Sequence, residues 1–130
     1  MDNESGEVTE LRLRTLAKNS ASKLPEIRKD FAWFVSVSDD SNVSFFMHGG
    51  CVENAKTKKK KFLNDFYHLD VSDGLFRKFF LFDAAKARSN HAMARLGNEV
   101  FLYGGQGLNN SVYDDIWRFD LENVQWSEQK

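Results

Sequence analysis

The sequence predicts an all-β chain built from two copies of one four-stranded unit, and three observations carry that prediction. The stretch FLYGGQGLNNSVYDDIWRFDLENVQW, residues 101–126, has an earlier counterpart in FFMHGG…LNDFYHLDVSDGLF, residues 45–76. Equivalent landmarks keep nearly constant separations. Asp70 and Asp120 lie 50 residues apart, as do Phe76 and Trp126, whereas Gly49 and Gly104 are 55 apart and Arg28 and Arg88 are 60 apart. The two five-residue steps fall in the turn 38–42 and in the lysine-bearing stretch after Gly50, where connections absorb insertions. Finally, no segment combines a 3.6-residue apolar period with helix caps.

The elements follow in order. Residues 1–8 are polar and acidic, without apolar periodicity, and read as a disordered tail. Residues 9–17 alternate Leu11 and Leu13 with Arg12 and Arg14, a period-two strand with one buried face. Pro25 then holds the chain extended ahead of Arg28. The first full unit, 24–82, has strands over 31–37, 43–47, 65–69 and 75–82. Turn residues at 38–42 and Asp73-Gly74 separate them, and Asp70 suits the first position of a turn. The second unit, 83–130, repeats the plan with strands over 91–96, 99–103 and 115–119, the turn residue Asp120, and a last strand around Trp126.

Between the units, LNDFYHLD and YDDIWRFD match position by position: Asp65 with Asp115, Tyr67 with Trp117, Leu69 with Phe119. Together with Arg88, Gly104-Gly105, Asp120 and Trp126 this pattern resembles the kelch repeat, the four-stranded blade of a β-propeller. Arg28, Gly49-Gly50, Asp65, Tyr67, Asp70 and Phe76 form a weaker copy with Phe76 in the place of Trp. The period near 50 fits that class. The resemblance implies two stacked blades and an incomplete ring, since a propeller closes with about 4–8 blades. The remaining blades would come from the same parent chain or from other copies. It also implies that residues 9–17 are an outermost strand completing the last blade of the ring.

A blade packs on both faces, so its strands need apolar residues on both sides; Phe45-Phe46-Met47 and the run 100–103 have that character. Aromatic residues make up 14% of the 130 residues, with 12 Phe, which calls for ring-filled layers between sheets. Tyr67, Trp117 and Trp126 are the expected wedge fillers. The Gly pairs mark sharp turns with close backbone approach.

A net charge of −1 gives no steering field for nucleic acid or membrane. No apolar run reaches the ~18 residues of a membrane span. The single Cys51 forms no internal disulfide and fits a reducing compartment, so a cytoplasmic or nuclear protein is expected.

In a four-stranded meander, the turn after strand two and the entry to strand one share a rim. Kelch resemblance implies a protein partner there, with Arg28, Lys29, Asp30, Lys58, Lys59, Lys60, Arg88, Ser89, Asn90, Gln106, Leu108, Asn109 and Asn110 as candidate contacts. Two readings of the arginines stay open: partner contact, or internal pairing near the Gly pair. For the loop residues and the lysine run the alternative is a solvated surface; no aromatic interleaves the lysines as single-strand binding would need. His48 and Cys51 lack further ligands at metal spacing, and no triad or phosphate loop has its structural context, so no cofactor, metal or catalytic residue is expected. The favoured function is a protein-interaction module, scaffold or adaptor. The alternative is part of a propeller oxidoreductase or metal-assisted lyase whose active-site residues lie mostly outside this chain.

Overall fold

The computed structural model describes residues 24–79 and 84–130. The expected tail (1–8), the outer strand (9–17) and the end of the fourth strand (80–82) lie outside the described residues. Two sheets form. The first contains β1 (Ala32–Val37), β2 (Val43–Glu53), β3 (Lys60–Asp70) and β4 (Leu75–Phe79); the second contains β5 (Ala92–Leu96), β6 (Glu99–Tyr103), β7 (Ile116–Asp120) and β8 (Gln125–Gln129). Strands lie in sequence order within each sheet and every neighbouring pair is antiparallel. A single 3₁₀ turn, Leu108–Asn110, interrupts the connection from β6 to β7.

Turn chemistry explains the matching third-to-fourth hairpins. Asp70 Oδ1 accepts the Ser72 N–H at 3.0 Å, and Asp120 Oδ1 accepts those of Glu122 and Asn123 at 2.9 and 3.2 Å. A short carboxylate satisfying backbone donors two residues on fixes the turn without a side chain of its own to bury.

One element differs from the sequence expectation. In the second sheet β6 stops at Tyr103, directly before Gly104, as expected. In the first sheet β2 passes through Gly49-Gly50 as a bulge, its register slipping between His48 and Gly50, and continues to Glu53. The stretch 51–64, expected as a lysine-bearing loop, is therefore mostly a β-ribbon. Cys51 pairs with Phe62 and Val52 with Lys61, so Lys60 and Lys61 are strand residues. Asn54 closes the tip by accepting the Lys56 and Thr57 N–H groups at 2.9 and 3.0 Å. Across the ribbon Cys51 faces Phe62 and Glu53 faces Lys60, so neither strand lysine sits opposite another.

The core lies between the sheets. Strand alternation sends Phe34, Phe46, Phe66 and Phe79 to the face of the first sheet that meets the second, and Met93, Val100, Leu102, Trp117, Phe119 and Trp126 to the face that receives them. Phe66 sits at the centre, with ring centroids 5.0 Å from Phe119, 5.6 Å from Trp126 and 4.9 Å from Phe79. Trp117 and Trp126 thus fill the wedge between the sheets. Tyr67 is the repeat mate of Trp117 and follows Phe66 in β3, so it points to the opposite face of the first sheet, where it meets Phe76 edge-on at 6.2 Å.

Candidate functional site

The segments that enter β1 and β5 organise one rim. Each is a short strap: Lys29 exchanges backbone hydrogen bonds with Cys51, and Ser89 with Gln106, at 2.9–3.0 Å. The second strap also stitches the two sheets together. Arg88 N–H donates to Leu63 O at 3.0 Å, Gly50 N–H to Arg88 O at 2.8 Å, and Asn90 N–H to Asp30 O at 2.9 Å. Asp30 and Asn90 hold the same left-handed backbone, φ 58° and 59°, which short polar side chains tolerate better than most.

The arginines of the two straps are interior residues. Arg88 is 0% exposed. Its guanidinium forks onto Asp115 at 2.5 and 2.8 Å, donates to Gly104 O at 2.9 Å and stacks 4.2 Å from the Tyr113 ring centroid. Asp115 also accepts the Trp117 indole N–H at 2.8 Å, and the Arg88 hydrogen bond holds its carboxyl below the usual range. Arg28 makes the corresponding pair with Asp65 through one nitrogen, and its Nη2 has no partner among the described residues. Of the two readings left open by the sequence, internal pairing describes both side chains. Ser89 is buried too, whereas Lys29, Asp30, Asn90, Gln106, Leu108, Asn109 and Asn110 are exposed on the rim.

Close approach explains Gly105, and backbone conformation alone explains Gly104. A Cβ on Gly105 would lie 2.7 Å from Ser89 O and 2.9 Å from His91 Cβ, and φ there is +98°. Gly105→Ala is expected to cost about 1–3 kcal/mol by overpacking and backbone strain. A Cβ on Gly104 meets only Tyr113 O at 3.6 Å, leaving the strain of φ +76° alone. Denaturant titration of both variants should find Gly105→Ala the more damaging; equal losses would show that backbone strain alone matters.

His48 and His91 lie 43 positions apart in the sequence. The strap brings them together across the sheet junction, Nδ1 of His48 lying 2.9 Å from Nε2 of His91, with both rings buried. The remaining ring nitrogens have no partner among the described residues. Burial, reinforced by the partner imidazole and Arg88, pushes His48 well below its ordinary value; burial and then Arg88 lower His91 to about 4. Both imidazoles are neutral at pH 7, so the unfolded chain, with His near 6.5, binds more protons than the folded one. Stability is full above pH 6.5 and falls as pH drops from 6.5 through 4, by up to roughly 1.4 kcal/mol per pH unit for each imidazole. His91→Gln should flatten that slope in denaturant titrations between pH 7.5 and 4.5. An unchanged slope would place the proton uptake elsewhere.

On the rim, the tip of the β2–β3 ribbon leans over the 3₁₀ turn of the second sheet. Lys59, Lys60 and Phe62 on one side, and residues 106–110 on the other, line a groove of about 360 Å³. Lys29 pairs with Glu53 at 2.7 Å and Lys61 with Glu26 at 3.0 Å. Lys56, Lys58, Lys59 and Lys60 are exposed and form no ion pair among the described residues. Among the described residues no group of three or more His, Cys, Asp or Glu side chains could hold a metal. No helix among them is long and apolar enough to cross a membrane.

Comparison with known proteins agrees with this architecture. A family model described as the kelch motif matches residues 87–130. An Arabidopsis thaliana protein named tRNA wybutosine-synthesizing protein 2/3/4 is 27% identical over 67 residues, which span 52% of this chain and 7% of that protein. The solved structure of YjhT superposes with a TM-score of 0.59 at 13% identity, covering 78% of this chain and 37% of that one. The chain therefore spans a small part of both. Residues 87–130 match the kelch motif and fold as one four-stranded blade, and the preceding sheet has the same four-stranded build.

Proposed function

We propose that the chain is a protein-interaction module, a kelch-propeller segment with a scaffold or adaptor role, which docks an acidic segment of a protein partner in the rim groove. The observation that carries this reading is the groove itself. It joins a cationic ribbon tip, four of whose lysines have no ion pair among the described residues, to Leu108, 63% exposed, and half-buried Phe62. Cations around an apolar patch select an extended peptide with carboxylates flanking an apolar side chain. The two arginines, paired with Asp65 and Asp115, act as scaffold rather than as contacts. The single Cys51, buried and unpaired, supports a cytoplasmic or nuclear setting for the module.

Fluorescence anisotropy with labelled peptides of matched length and acidic, neutral or basic composition tests the reading. Acidic peptides should bind best and weaken with salt. The triple variant Lys58→Glu, Lys59→Glu, Lys60→Glu should lose at least about tenfold, or ~1.4 kcal/mol. Equal binding of all compositions, or an unaffected triple variant, would overturn it.

The reading as part of a propeller enzyme draws on the name of the Arabidopsis protein. That likeness covers 7% of the protein.

A further inference from the structure

The junction between the two blades shows how one blade receives the next, and the chain carries both halves of that joint a second time, unengaged among the described residues. At the joint, three backbone groups of the first blade, Leu63 O, Gly50 N–H and Asp30 O, take Arg88 N–H, Arg88 O and Asn90 N–H. The repeat places Tyr113 O, Gly105 N–H and Asn90 O at the corresponding positions of the second blade. None of the three has a hydrogen-bond partner among the described residues. The other half is at the entry to the first blade: Arg28 N–H, Arg28 O and Asp30 N–H, also without partners there.

Two further observations show that both halves are already shaped for the joint. Gly49 has a φ of +67° and no room for a Cβ, which would lie 2.7 Å from Arg88 O. Gly104 holds nearly the same backbone, φ +76° against +67°, although no described strap crowds it. Asp30 likewise holds the left-handed φ of 58° with which Asn90, at 59°, enters the existing joint. The sheet faces agree. The outer face of the first blade presents Trp33 and Val35, 57% and 49% exposed, and that of the second presents Tyr103 and Ile116, 54% and 42% exposed. By the repeat register Tyr103 takes the place of His48 and Ile116 that of Phe66, the two residues that meet Trp126 in the existing joint.

We propose that the chain associates head to tail with a second copy of itself, the Arg28–Asp30 strap of one copy engaging Gly105, Tyr113 and Asn90 of the other. Because the two surfaces differ, the contact is heterologous and repeats until a ring closes. Closure at about 4–8 blades corresponds to roughly two to four copies. The inference is independent of the rim groove, which uses other residues.

Sedimentation velocity of the 130-residue chain tests it through complementation. Wild-type chain should shift from monomer to a closed oligomer as concentration rises. Trp33→Glu spoils one face and Ile116→Glu the other; each alone should be a folded monomer, and their mixture should give a one-to-one dimer and nothing larger. Near-UV circular dichroism confirms folding, with Val35→Lys and Tyr103→Lys as the second pair should either variant unfold. A wild-type chain that stays monomeric, single variants that still dimerise, or a mixture that stays monomeric would each overturn the proposal. Acidic-peptide binding by the same variants separates its failure from failure of the groove.

Discussion

Arg88→Ala is expected to destabilise the chain by about 3–5 kcal/mol, the scale for removing one partner of a buried ion pair. The loss has three parts. Asp115 keeps its charge with only the Trp117 indole as side-chain donor, Gly104 O loses a donor, and Tyr113 loses the plane stacked on it. Arg88→Lys should recover little, because an ammonium cannot satisfy both carboxylate oxygens and the carbonyl in that fork geometry. Arg28→Ala should cost less, since Arg28 engages Asp65 through one nitrogen and leaves Nη2 unused among the described residues. Chemical denaturation at pH 7 measures all three. A loss below about 1 kcal/mol for Arg88→Ala, the range of surface pairs, would show that the fork is not a structural element of the blade.

Trp126→Ala should cost a similar amount, about 3–5 kcal/mol, for a different reason. The indole is 3% exposed and touches both blades: Phe119 at 5.0 Å and Trp117 at 6.5 Å in its own sheet, Phe66 at 5.6 Å and His48 at 5.5 Å across the junction. Its removal leaves a cavity in a close-packed ring cluster that two sheets cannot readily collapse. Trp33→Ala, on the open face of the first blade, should stay within about ±0.5 kcal/mol in the monomer. Thermal and denaturant unfolding of the two variants makes the comparison. Equal effects would mean that the inter-blade wedge does not hold the pair of sheets together.

These two residues show what a single sequence can convey. Trp126 and its partner Trp117 were assignable to the wedge because the repeat and the two-residue alternation fix which face of a strand a side chain takes. Tyr67 shows the same rule applied without knowledge of the neighbour. Its register is that of Trp117, but the face it takes in the first blade is the one turned away from the second. Arg88 was visible as a repeat landmark, yet charge alone left its role open between contact and scaffold. The distance to Asp115, 27 positions on, decided it.

By itself the sequence determined the all-β class, two blades with equivalent landmarks, the Asp70 and Asp120 turns and the interior character of the ring-bearing strands. All of these rest on local periodicity and turn chemistry, which act over a few residues and repeat every 50 or so. Only the tertiary structure decided the long β2–β3 ribbon, the buried His48–His91 pair, the groove beneath the lysines and the strap positions that have no partner among the described residues. Each depends on which blade face or Gly pair meets which strap. That meeting is set by packing between sheets, where backbone groups far apart in the chain satisfy one another and leave no signature in the spacing of residue types.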